Sequence, residues 1–167
     1  MTNPLFYWTL LALCSVYVFL RGGAPERIGI AILITGSILS TASATANYAL
    51  RFRQMEAGIF IVDILGLVAL VALALRANRF WPLWVAGFHL VAVATHAAMA
   101  ASPDVVPRAY AMAQAFWAYP MLAAMVVGTW RHRRRLTRFG ADEPWSSKPA
   151  PGGAAERQAF SRRGDSD

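Results

Sequence analysis

Five polar side chains interrupt stretches that are otherwise almost wholly apolar: Asn47, Asp63, His89, His96 and Gln114. A carboxylate accepts and releases protons, and an imidazole titrates near neutrality, so Asp63 beside His96 or His89 would make a site for a proton, a metal or a small cation. The two amides would orient such a site by hydrogen bonding. His89 and His96 stand seven residues apart, and at about 100° of helical turn per residue they fall within about 20° of each other on one face. The same groups have a purely structural use, as interhelical hydrogen bonds that fix packing.

Paired histidines in apolar sequence also raise haem and metals. Two imidazoles on one face of one helix cannot clamp a haem iron from opposite sides, and His132 lies in a basic run. That leaves a His/Met pairing through Met99, Met112 or Met121. Asp63, His89 and His96 are ligand types that suit zinc or copper, without a recognised motif spacing. No cofactor is expected, with haem or a divalent metal as the exceptions. Cys14 is the one cysteine, so an internal disulfide is excluded. The sequence has no H-E-x-x-H, no G-x-S-x-G and no Gly-rich phosphate loop, which speaks against catalysis.

The elements that must carry these residues follow from the charges. The chain has 167 residues, 57% hydrophobic and 15% charged, with mean hydropathy +0.41, against about 45–50% apolar in soluble domains. The runs between charges reach the roughly 17–25 residues of a spanning helix. They predict an all-α integral membrane protein, a five-helix transmembrane bundle over 1–130 with helices at 4–20, 28–50, 57–75, 80–100 and 109–130. The third run qualifies only if Asp63 is tolerated. No basic residue precedes the first run and no small-x-small site follows it, so it is expected to be a retained helix rather than a signal peptide.

At ~1.5 Å per residue, Asp63 lies about 9 Å, His96 about 6 Å, Asn47 about 4–5 Å and Gln114 about 7 Å from the same ends of their helices. His89 lies about 10 Å deeper than His96. Counting back from the hairpin turn at 76–79 sets Asp63 level with Ala92, between the two histidines. A lone carboxylate at that depth costs about 2.5–3.5 kcal/mol on insertion scales, so it should face inward and find a partner.

Nine flanking arginines fall on one side of these spans and three on the other. The richer side marks the cytoplasm, giving N-terminus outside and C-terminus inside. Tyr7, Trp8, Trp81, Trp84 and Trp130 stand where interfacial aromatic belts form. Residues 131–167 read as a basic, disordered cytoplasmic tail. Its Arg131, Arg133, Arg134 and Arg135 would attract anionic lipid headgroups by about 1 kcal/mol each. No stacking platform accompanies the charge, so nucleic acid is not an expected partner. Fifteen arginines against one lysine, with much Ala, Gly and Pro, suit a GC-rich bacterium and hence its inner membrane.

In the second helix Gly36, Ser40 and Ala44 form a small-residue stripe that would let backbones approach closely, as expected of the central helix. Pro120 predicts a local break in the fifth. No internal repeat divides the chain into the halves of an inverted-repeat transporter. The expectation is a small non-enzymatic membrane protein, an accessory or scaffolding subunit contacting a membrane-protein partner or further copies of itself. The alternative is a small sensor or transporter with an outward-facing Asp/His site.

Overall fold

Long apolar runs satisfy their own backbone hydrogen bonds by coiling into helices. The computed structural model describes residues 4–46, 57–101 and 116–145. Among them it is all-helical, with α1 (Pro4–Arg21), α2 (Ala24–Ala46), α3 (Ala57–Arg76), α4 (Trp81–Ala101) and α5 (Ala118–Phe139). Residues 47–50 of the expected second helix and 109–115 of the expected fifth lie outside the described residues, as does the tail beyond 145.

Three boundaries differ from the sequence expectation: α5 begins at Ala118, after a turn at Trp117 inside the span expected over 109–130, and the other two involve charges. Helix α2 begins at Ala24 rather than 28, because Glu26 occupies its third position and accepts the N–H of Gly23 across 3.1 Å. That reach back to the capping residue is one half of a capping box. Helix α5 runs on through the arginines to Phe139 instead of ending at 130. Arginine is a good helix former, and the helix ends only at Gly140 (φ 72°), whose N–H returns to Leu136 O at 3.0 Å. Pro120 falls in the first turn of α5, where its missing N–H is not needed, and Trp117 before it is a turn residue.

Successive helices pack side by side, α5 returns to α1, and α2 also touches α5. Alternating direction around an odd number of helices leaves α1 and α5 parallel. Tyr119 of α5 accordingly meets Phe6 and Tyr7 near the start of α1, with ring centroids 6.1 and 6.4 Å apart. At the opposite end, here called basal, Arg133 of α5 donates to the Leu20 carbonyl of α1 at 3.3 Å. Leu11, Val18, Ile30, Leu70, Val85 and Met125 form the buried centre.

Gly29 and Gly128 make room for the indole of Trp81, and Gly66 for the ring of His89. On the Gly36, Ser40 and Ala44 stripe, a Cβ on Gly36 would meet nothing within 4 Å, Ser40 is half-buried, and the side chain of Ala44 lies outside the described residues. Helix α2 is not alone in being central, since α5 likewise touches three other helices.

After Gly140 the chain folds back as a strap across the basal end. Asn78 N–H donates to Pro144 O at 3.2 Å, and Trp145 makes an antiparallel bridge with Ala77. Two of the helices, Pro4–Arg21 and Gly58–Arg76, are long and apolar enough to cross a membrane, and only 22% and 11% of those spans are buried inside the chain. Such exposure is the reverse of a soluble core helix. Leu13, Leu65, Trp84 and Val127 are among the large apolar side chains exposed on α1, α3, α4 and α5.

Candidate functional site

Asp63 lies one and a half turns into α3, facing the antiparallel α4. Its Oδ2 stands 2.8 Å from His96 Nε2, in a pair whose imidazole is 1% and whose carboxylate is 15% exposed. The ring of Phe60 covers His96, centroids 6.2 Å apart. His89 reaches the same residue differently, through Nε2–H donated to the Asp63 backbone carbonyl at 2.9 Å. Gly66 permits this, because a Cβ there would sit 3.1 Å from His89 Nε2. With Nε2 carrying the proton, Nδ1 of a neutral His89 bears the lone pair. That Nδ1 is buried and has no hydrogen-bond partner among the described residues.

The structure thus brings Asp63, His96 and His89 together, with Asp63 bridging the two rings. It does not converge them as three metal ligands: His89 faces a carbonyl rather than the carboxylate, and no group of three or more His, Cys, Asp or Glu suited to a metal occurs among the described residues. Asn47 and Gln114 lie outside the described residues.

A second polar cluster, at the basal end, was not anticipated from the sequence. Glu26 is fully buried, and its Oε1 accepts the indole Nε1–H of Trp81 at 3.0 Å. Arg79 Nε lies 3.3 Å from the same oxygen, an ion-pair contact without hydrogen-bond alignment. The rest of the Arg79 guanidinium turns to the strap, with Nη1 donating to Asp142 Oδ1 at 2.8 Å and to Glu143 O at 2.9 Å. Arg135 Nε donates to Asp142 Oδ1 at 2.8 Å.

His132 Nδ1 is 2.6 Å from Asp142 Oδ2 and 3.3 Å from Arg79 Nη2. A guanidinium is donor only, so the short contact to the carboxylate is the hydrogen bond and Nδ1 carries its proton. Burial alone would push the Asp142 carboxyl up. The hydrogen bonds from His132 and Arg135, with the charges of Arg79 and Arg135, outweigh burial and hold it below the ordinary 3.8. Counting Arg79 as a topology marker and Glu26 as a span delimiter hid this cluster. The available signal was the Gly23-x-x-Glu26 spacing, which places an acid at a helix start.

The basic run is correspondingly less free than a headgroup-binding tail would be. Arg133 serves the end of α1, Arg134 lies over the Trp130 ring at 5.3 Å, and Arg135 holds Asp142. Arg131 is exposed. It borders a groove of about 680 Å³ between α4 and α5, walled by Leu83, Trp84 and Phe88 on one side and Ala123 and Val127 on the other. Against models of known protein families, curated proteins and solved structures, the chain shows no match.

Proposed function

We propose that the chain is a small multi-pass protein of the bacterial inner membrane, with its N-terminus outside and C-terminus inside. In this reading it serves as an accessory or scaffolding subunit of a membrane assembly. The observation that carries the reading is internal pairing of its charges: Asp63 with His96, Glu26 with Arg79, and Asp142 with Arg79, Arg135 and His132. Charges spent on one another fix the packing of the bundle, while exposed apolar faces on α1, α3, α4 and α5 remain to meet lipid and neighbouring helices. The multi-pass topology rests on α1 to α4, helices of 18 to 23 residues, about 27–35 Å long, against a hydrocarbon core of about 30 Å. The basal arginines set the orientation.

Gentle solubilisation of the tagged chain, native mass spectrometry and a visible absorption spectrum test this. A stoichiometric protein partner, or a fixed number of copies, is expected. A lone chain carrying a metal, haem or small ligand would overturn the scaffolding role.

That second outcome belongs to the other reading, a small sensor or transporter of a proton or cation. It is favoured by His89, next to Asp63: its buried Nδ1 has no hydrogen-bond partner among the described residues. A proton or cation arriving there would meet a lone pair in a setting where unsatisfied polar atoms are costly.

A further inference from the structure

We infer that the groove between α4 and α5 holds an acyl chain of an anionic phospholipid, with the lipid phosphate on Arg131 and Arg135. The inference rests on the chain being a multi-pass membrane protein. The groove is amphipathic along its length. Its walls are apolar, from Leu83, Trp84 and Phe88 on α4 to Ala123 and Val127 on α5, and Arg131 and Arg135 stand at its basal end.

Its dimensions match one leaflet. Along α5 it runs from Arg131 up to Pro120, about 16 Å at helical rise, which is close to half of a hydrocarbon core of about 30 Å. The volume of about 680 Å³ lies within the roughly 300–1,000 Å³ of small-ligand sites. Phe80 and Trp84, both largely exposed, flank the cationic end as interfacial aromatics do.

The arginines are placed for a phosphate. Arg131 is exposed. Arg135 commits its Nε–H to Asp142 but its side chain stays 37% exposed, and a guanidinium has four further N–H donors. The planar fork suits the paired oxygens of a phosphate. Asp142 already answers Arg135, whereas an apolar helix laid in the same groove would bring no anion to Arg131, which is why a lipid anion is the occupant.

The test uses the full chain in vesicles of equal phosphatidylglycerol and phosphatidylcholine with identical acyl chains, extracted in mild detergent and weighed by native mass spectrometry. Retention of phosphatidylglycerol in preference to phosphatidylcholine is expected. Arg131→Gln should lower that preference about fivefold. Ala123→Phe, at an exposed groove position, should displace both lipids, whereas Leu13→Phe on the exposed face of α1 should change neither. Equal retention of the two lipids, or indifference to both groove variants, would overturn the inference. So would a second protein or copy crosslinked through Ala123→Cys in place of lipid. A chain that fails to fractionate with membranes sinks the membrane reading itself, whereas an embedded chain without lipid preference sinks this site alone.

Discussion

The Nε1–H of Trp81 donates to Oε1 of Glu26 across 3.0 Å, and the indole that carries it is slotted between Gly29 of α2 and Gly128 of α5. A Cβ on Gly128 would lie 2.5 Å from both Cγ and Cδ1 of the indole, and one on Gly29 would overlap its Cη2. Gly128→Ala should therefore destabilise the bundle by about 1–3 kcal/mol through overpacking. Gly36→Ala, at a position with nothing within 4 Å, should instead gain about 0.5–1 kcal/mol from helix propensity. Denaturant unfolding followed by circular dichroism gives both values, and the reverse order would contradict the slot.

Arg79 joins two acids from distant parts of the chain, Glu26 at the start of α2 and Asp142 in the strap. Removing one member of a buried pair strands the other charge, so Arg79→Gln should cost about 3–5 kcal/mol. Trp81→Phe removes a neutral donor to Glu26 and should cost about 1–3 kcal/mol. In a double-mutant cycle, Glu26→Gln combined with Arg79→Gln should cost less than the two single changes together, by about 0.5–3 kcal/mol. Strict additivity would mean that the 3.3 Å contact carries no coupling.

The strap is held through a carboxylate, which fixes the sign of its pH response. Because Asp142 has its native value lowered beneath 3.8, the stability it contributes is fully present above that value and is lost as pH falls through the lower native one. The wild-type strap should stay closed at neutral and mildly acid pH and open only in stronger acid. Asp142→Asn should open it at every pH. Hydrogen exchange at residues 140–145 reports the difference, and equal protection in both proteins at pH 7 would remove Asp142 from the clamp.

For three helices the sequence reads well: α1, α3 and α4 begin and end within one residue of expectation. The start of α2 and the end of α5 are displaced at the basal end, where Glu26 and the arginines from 131 onward are helical. A hydropathy count treats every charge as a water-facing stop. It cannot anticipate that Glu26 is neutralised by a guanidinium more than fifty residues away. The Asp63 pairing was legible because a short hairpin fixes the register of α3 against α4, so depth along each helix determines who meets whom. The basal cluster depends on where α5 leaves the bundle and how 140–145 turns back, which no local pattern encodes. Glycine spacing fails similarly: Gly29 and Gly36 are alike in sequence, but only one faces a tryptophan.

Asp63→Asn separates the two functional readings. An asparagine oxygen can still accept from His96 Nε2–H, and the backbone carbonyl that receives His89 is untouched by the change. Folding should survive at a cost of about 0.6–1.7 kcal/mol, the range of interhelical polar contacts in membranes. If Asp63 is a packing device, native mass spectrometry should find the same assembly in wild type and variant between about pH 5 and 8, the window in which an imidazole titrates. If it is a proton site, wild type should change its assembly or transport across that window while Asp63→Asn stays flat. Gly66→Leu adds an independent check by driving a side chain into the space of the His89 ring. It should abolish a pH response that needs both histidines, whereas a response surviving Gly66→Leu and lost in Asp63→Asn would assign it to the Asp63–His96 pair alone.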